Sequence, residues 1–323
     1  MTACRVCGSA AIVHAGDVEY LEGFRAGVYD CASCGCRFTP HDPDVHDQFH
    51  REPSISYYQD YAALAAQCAT LFNAGDAAGL RRLLSQSAKY RFVLEHLDRA
   101  PAGAKLLEIG CARGHLTSYS ILQQRDVLGV DVSKEAIAAA RAMFGPHFAV
   151  ADTREAQRGP FDVIYHVGLI GCVADPIGLT RRLLSELRHG GQLIFNAPNR
   201  NALRLKGQLW LDSAPPPDLV TLFPENFWRT QFGDVADVSE AIDDIDPQAS
   251  LQIAARRWLG VRWRPPVPQP LTVRGFEWIQ SSGGMRRSAA RVLAGIAARL
   301  GLAGVAGARP AEFGIFVRMA KTA

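Results

Sequence analysis

From residue 104 onward, apolar runs of strand length alternate with stretches of helical spacing, and this alternation sets the fold class before any motif is read. Residues 104–109, 127–130, 147–151, 161–167 and 191–197 read as short buried strands, and 116–122, 134–144 and 176–188 as the helices between them. Ser133 stands where an N-cap belongs, ahead of the strong helix formers of 134–144. Strands separated by helices predict right-handed crossovers and a parallel sheet. The fold class expected is therefore α/β, with a Rossmann-like sheet. Upstream, Leu64, Leu71, Leu80, Leu83, Leu84, Phe92, Val93 and Leu97 recur at helical spacing, with a break around 73–79. These helices are expected to cover the sheet and its ligand. A helix over 285–300 and a last strand over 312–318 close the chain.

The first strand runs into Glu108-Ile-Gly-Cys-Ala-Arg-Gly114, and the second ends at Asp131, 17 residues past Gly114. Strand, glycine turn, helix and a second strand ending in a carboxylate describe one half of a nucleotide-binding sheet. A dinucleotide fold wants G-x-G-x-x-G so that the backbone can approach a pyrophosphate. Here the turn reads G-x-A-x-G, with His115 where the third glycine would fall.

The turn resembles motif I of the class I S-adenosylmethionine-dependent methyltransferases, (D/E)-x-G-x-G-x-G, with Ala112 for the middle glycine. That ligand carries a sulfonium and an ammonium and no phosphate, so a carboxylate beside the turn attracts it. The resemblance implies a seven-stranded sheet that binds S-adenosylmethionine through Glu108, Gly110, Ala112, Gly114, Asp131 and Val132, with Glu108 serving the methionine end. Asp131 can accept both ribose hydroxyls, because a carboxylate presents two acceptor oxygens. Asp152 matches the position that receives the adenine amino group, with Thr153 beside it, and His166 ends the fourth strand. Asn196-Ala-Pro-Asn199, Gly207-x-x-Trp210 and Pro215-Pro-Pro-Asp-Leu-Val-Thr-Leu-Phe223 look like segments of a subgroup that modifies sugars, saccharides or specialised metabolites. Asp218 replaces that subgroup's histidine, and Ile170-Gly171-Cys172 replaces its Leu-Glu-His. A hydroxyl acceptor needs a general base, for which His166 and Asp218 are the candidates, although His166 can equally support the cofactor and Asp218 can be a loop carboxylate. Tyr57, Tyr58 and Tyr61 lie in the segment that commonly caps the cofactor in relatives, and can equally be core aromatics, the more frequent fate of such residues.

A separate chemistry stands at the front of the chain. Cys4-x2-Cys7 and Cys31-x2-Cys34 are spaced to converge on one tetrahedral Zn²⁺, and four thiolates leave no open position, so the site is expected to be structural. The 23 residues between the pairs suggest a small hairpin, and Cys36 could compete with Cys34 as a ligand. Between Cys4 and Cys34 only Arg5 and Arg25 face Asp17, Glu19, Glu22 and Asp30, a balance that disfavours phosphate binding.

Four regions are expected: a zinc ribbon over 1–45, a helical cap and linker over 46–100, the S-adenosylmethionine-binding core over 101–241, and a basic, Pro- and Trp-containing insertion with the closing helix and strand over 242–323. Across the whole chain of 323 residues a net charge of +3, with 48% apolar and 21% charged residues, is ordinary for a soluble enzyme. No apolar run reaches the length of a membrane span, and the start lacks a secretory pattern, so a cytoplasmic location is expected. The function expected is methyl transfer from S-adenosylmethionine to a small-molecule, sugar or saccharide acceptor, at oxygen in the first instance and at carbon or nitrogen otherwise. Two alternatives remain open on sequence: an RNA methyltransferase using the arginine- and tryptophan-bearing segment 256–291, and a non-catalytic binding protein on the same fold.

Overall fold

The structure, a computed structural model, describes residues 3–21, 24–41, 61–152, 159–201, 209–211, 216–242 and 314–322. Strands β1 (Ile12–Leu21), β2 (Phe24–Cys31) and β3 (Arg37–Phe38) come first, then helices α1 (Tyr61–Asn73), α2 (Ala77–Leu84) and α3 (Ala88–Arg99). The alternating region runs β4 (Lys105–Ile109), α4 (Thr117–Leu122), β5 (Asp126–Asp131), α5 (Lys134–Phe144), β6 (Phe148–Val150), β7 (Phe161–His166), α6 (Pro176–Ser185) and β8 (Leu187–Pro198). Strand β9 (Thr221–Leu222), helix α7 (Phe227–Phe232) and strands β10 (Ala236–Ile242) and β11 (Gly314–Lys321) follow. The expected helix over 285–300 lies outside the described residues.

These elements divide into two units, 3–40 with 198–225 and 61–197 with 226–240 and 316–322. The second unit carries a seven-stranded sheet in the order β10-β11-β8-β7-β4-β5-β6. Strand β4 pairs in parallel with both β5 and β7, so successive strands step outward on one side through β5 and β6 and on the other through β7 and β8. The strand order reverses between β4 and β7, and in open α/β sheets that switch point opens a ligand crevice beyond the carboxyl ends of the strands.

Local chemistry sets the element ends. The Ser133 hydroxyl accepts from the Ala136 N–H at 3.1 Å and starts α5, which stops at Gly145 with φ of 91°. Asp175 caps α6 by accepting from Gly178 N–H at 2.8 Å, ahead of Pro176. That helix ends at Ser185 instead of continuing to 188, because Leu187 already pairs with Phe161. An irregularity follows in this pairing, and a Cβ on Gly191 would lie 2.9 Å from the Arg188 carbonyl oxygen, so β8 can begin before its apolar run does.

Alternation along the strands divides the core. Leu106, Val163, Tyr165 and Ile194 pack with Leu80, Leu94, Tyr119, Ile137 and Phe144 from the helices of one face. On the next position of β7, His166 stacks on Phe195, which meets Trp228 of α7 edge-on at 4.9 Å. Tyr165 and His166, adjacent in sequence, thus belong to different layers.

The first unit holds a four-stranded sheet, β1-β2-β3-β9. The hairpin β1–β2 lies between the two cysteine pairs, and β3 pairs antiparallel with β9, a strand that follows β8 in the chain.

Candidate functional site

Strand β4 delivers its carboxyl end into a turn that demands small residues. Gly110 and Gly114 hold φ of 72° and 77°, and Ala112 holds 48°. That left-handed value costs an ordinary residue roughly 1–2 kcal/mol and glycine nothing. The N–H groups of Gly110 and Cys111 both donate to the Val130 carbonyl, at 2.8 and 3.0 Å, and tie the turn to β5. A Cβ on Gly114 would stand 2.6 Å from the Phe148 ring and 3.2 Å from Ala140 Cβ. Close approach to β6 and α5, not only the turn conformation, therefore requires glycine there.

Asp131 ends β5, and its carboxylate is fixed by the backbone around it. One oxygen accepts from Ala112 N–H and the other from Ser133 N–H, each at 2.9 Å. Burial raises the Asp131 pKa, and the N–H groups of Ser133, Ala112 and Val132 oppose the rise. Each oxygen retains acceptor capacity after its backbone bond, so the carboxylate is oriented without being saturated. The same bonds hold Ala112 in its unfavourable conformation, which links the turn to the acid.

Glu108 is placed differently. It is 3% exposed, and the Thr117 hydroxyl of α4 donates to its carboxylate in a short contact. Burial pushes its pKa up to about 8, with the Thr117 and Tyr165 hydroxyls offsetting part of the effect and the Asp131 charge adding to it. At neutral pH Glu108 is thus largely a protonated acid beneath the turn. The sequence alone does not point to Thr117, because a hydroxyl nine residues downstream of an acid carries no recognisable pattern.

His166 closes β7, with Ile109 and Phe195 as its register neighbours. It is fully buried, and neither ring nitrogen has a hydrogen-bond partner among the described residues. Burial lowers its pKa to about 3, so the ring is neutral across the physiological range. Asp152 follows β6 by two residues and Val132 follows Asp131, both half-buried. Glu108, Gly110, Ala112, Gly114, Asp131, Val132, Asp152 and His166 therefore gather at the carboxyl ends of four neighbouring strands, β7, β4, β5 and β6. Thr153, Tyr57, Tyr58, Gly207, Pro215 and the segment 256–291 lie outside the described residues. Asp218 belongs to the first unit, where it is 1% exposed. Tyr61 opens α1.

In the first unit the Sγ atoms of Cys4, Cys7, Cys31 and Cys34 all lie within 4.8 Å of one another. Cys4 and Cys34 are 3.8 Å apart and Cys7 and Cys31 3.6 Å. A tetrahedral Zn²⁺ with Zn–S bonds of about 2.3 Å needs sulfur–sulfur edges of about 3.8 Å, whereas a disulfide needs about 2.05 Å. The quartet thus has the spacing of a metal site, and no pair is bonded. Burial raises the pKa of Cys4 and Cys7, and the Cys36 thiol followed by burial raises that of Cys34. At Cys31 burial is outweighed by hydrogen bonds, led by Cys34 N–H, which bring the thiol down to about 7. Crowded thiols resist giving up protons together, and a divalent cation reverses that resistance. Cys36 is buried outside the converging set, with its carbonyl accepting from Cys31 N–H at 2.9 Å.

Residues 79–235 match a protein family described as "Methyltransferase domain". Among curated proteins, the chain is 32% identical over 118 residues to a ubiquinone biosynthesis O-methyltransferase of Aromatoleum aromaticum, covering 33% of this chain and 50% of the relative. It is 29% identical over 119 residues to the protein of the same description from Chromobacterium violaceum, covering 34% and 51%. The chain thus spans about half the length of the curated relatives it matches. Among solved structures, a plantazolicin methyltransferase in complex with a monoazolic desmethyl analogue and S-adenosylhomocysteine aligns with a TM-score of 0.43 at 15% identity, over 86% of this chain and 94% of that one. The sheet, the turn and the family match identify residues 79–235 as a class I S-adenosylmethionine-dependent methyltransferase domain.

Proposed function

We propose that this chain, with its class I methyltransferase domain, transfers a methyl group from S-adenosylmethionine to a hydroxyl of a small-molecule, sugar or saccharide acceptor. The observation that carries the reading is the Asp131 carboxylate, oriented by Ala112 N–H and Ser133 N–H beside the glycine turn at the sheet's switch point. A pre-oriented carboxylate at the end of the second parallel strand suits a ribose diol. The lack of a third glycine suits a ligand without a pyrophosphate. Transfer at oxygen is favoured by the relatives, which are named O-methyltransferases.

The sulfonium supplies an activated methyl group, so the C–S bond breaks as the acceptor C–O bond forms and S-adenosylhomocysteine leaves. The residues' contribution is to hold the two reactants aligned, an effect that can reach about 7–11 kcal/mol. Of the candidate bases, His166 at a pKa of about 3 is a poor proton acceptor, since general bases work best near the operating pH. Its neutral ring, with both nitrogens open, is better fitted to hydrogen-bond a ligand. The acceptor's proton is then left for a carboxylate, and Asp218 is the candidate. Cys4, Cys7, Cys31 and Cys34 would hold a structural Zn²⁺, which the edge lengths of the quartet suit.

The test is titration of the purified full chain with S-adenosylmethionine and S-adenosylhomocysteine, followed by screening of phenolic, sugar and saccharide acceptors for methyl transfer. Binding of both nucleosides with turnover of a hydroxyl acceptor is expected. Absence of binding would remove the reading.

A further inference from the structure

The two cysteine knuckles touch one common segment of the chain, and that segment is not part of the ribbon's own sequence. Arg5 lies inside the first knuckle, between Cys4 and Cys7. Its Nη1 donates to the Val220 carbonyl at 3.2 Å and to the Thr221 hydroxyl at 3.1 Å. Gly35 lies directly behind Cys34 in the second knuckle and has φ of 72°. A Cβ there would stand 3.1 Å from Pro224 Cγ, so the knuckle backbone lies close against Pro224. The Gly35 carbonyl also accepts from the Arg200 guanidinium. Just beyond, Thr39 N–H donates to Val220 O at 3.0 Å, and Arg37 and Phe38 pair with Leu222 and Thr221.

Asp218 is two residues from Val220 on this same stretch and is itself buried. Two residues of β9 cannot fix a segment through strand pairing alone, since so short a pair is marginal by itself. At its far end Phe223 exchanges hydrogen bonds with Pro198 and Arg200, at 2.9 and 2.8 Å, and between there and Asp218 the knuckles supply the Arg5 and Gly35 contacts, with the knuckle backbone reinforced when four thiolates share an ion.

We infer that the cysteine module is a positioning device for residues 216–224: the metal fixes the knuckles, and Arg5 and Gly35 transmit that order to the segment bearing Asp218. This rests on the proposed function only where that reading gives Asp218 a role: the metal then bears on that residue and leaves nucleotide binding by the second unit alone. Glu108, Gly110, Ala112, Gly114 and Asp131 all belong to the second unit and make none of these contacts. Arg5 is accordingly a positioning residue.

The experiment compares amide hydrogen exchange in the full chain with zinc bound, after removal by a chelator, and after zinc is restored. Calorimetry with S-adenosylhomocysteine accompanies each state. Removal should accelerate exchange across 216–224 by about tenfold or more while 105–131 exchanges as before, and restored zinc should reverse the change. Arg5→Ala keeps all four thiols, so it should loosen 216–224 at full zinc content, and Arg5→Lys should recover part of the protection. Unchanged exchange at 216–224 on metal removal overturns the inference. So does acceleration spread equally over 105–131, because the metal would then stabilise the chain as a whole. Failure to bind S-adenosylhomocysteine in the zinc-loaded state counts against the methyltransferase reading and leaves the exchange result standing.

Discussion

The glycine turn of the second unit and the cysteine quartet of the first are both built to receive a ligand, and they are stabilised in opposite ways. The turn is complete without one: Gly110, Cys111 and Ala112 spend their N–H groups on Val130 and Asp131, and Gly114 packs against Phe148. The quartet brings four thiols to within 4.8 Å, where burial and neighbouring thiols oppose ionisation of Cys4, Cys7 and Cys34 and only Cys31 gives up its proton more readily. One site is preorganised by backbone and packing, and the other is conditional on the ion it binds. The lesson is that proximity of functional groups is not the same as readiness.

The largest effect is expected where the conditional site loses a ligand. Cys31→Ser should release zinc and lower the melting temperature, because structural zinc contributes on the order of 10 kcal/mol to the fold of the module it organises. Metal analysis with a thermal melt checks this, and a metal-free wild-type protein of equal stability would break the comparison. Next comes Gly114→Ala, which places a methyl group 2.6 Å from the Phe148 ring at a φ of 77°. Strain and overpacking together should cost about 2–4 kcal/mol in denaturant unfolding and weaken nucleotide binding with it. A neutral outcome would mean that the turn is not held as tightly as the contacts imply.

A third effect, visible only as a dependence on pH, concerns Glu108. Its carboxyl holds a proton to about 8 in the folded chain and only to near 4.5 when unfolded. Between those values the native state binds more protons than the unfolded one, so stability falls as pH rises through this window and levels off above it. Glu108→Gln should remove that part of the slope, seen as a smaller difference between urea midpoints at about pH 5 and pH 8. Equal slopes in both proteins would show that the buried acid ionises normally.

Much of this was legible in the sequence, for reasons that differ by region. Strands β4 to β7 were visible because they are apolar, short and bounded by turn residues, and α5 because Ser133 caps it. The acid ending β5 was visible because spacing from a glycine turn is a chain property. What escaped notice required distant partners. Strand β9 is two residues long and exists because β3, far earlier in the chain, pairs with it. Arg5 looked like an ordinary residue between two cysteines until Val220 and Thr221 lay beneath it. The burial of His166 is hidden for a related reason: the end of a strand in such a sheet is commonly open, and here Phe195 stacks on the ring while Trp228 packs edge-on against Phe195.

The central claim is that S-adenosylmethionine binds at the carboxyl edge of the seven-stranded sheet with its ribose on Asp131. Calorimetric titration of S-adenosylhomocysteine into the wild-type chain and into Asp131→Ala tests it most directly. Removal of charge-assisted hydrogen bonds, each typically worth about 1.5–3 kcal/mol, predicts at least about tenfold weaker binding in the variant. Equal affinity in the two proteins, or no heat of binding in the wild type, would contradict it.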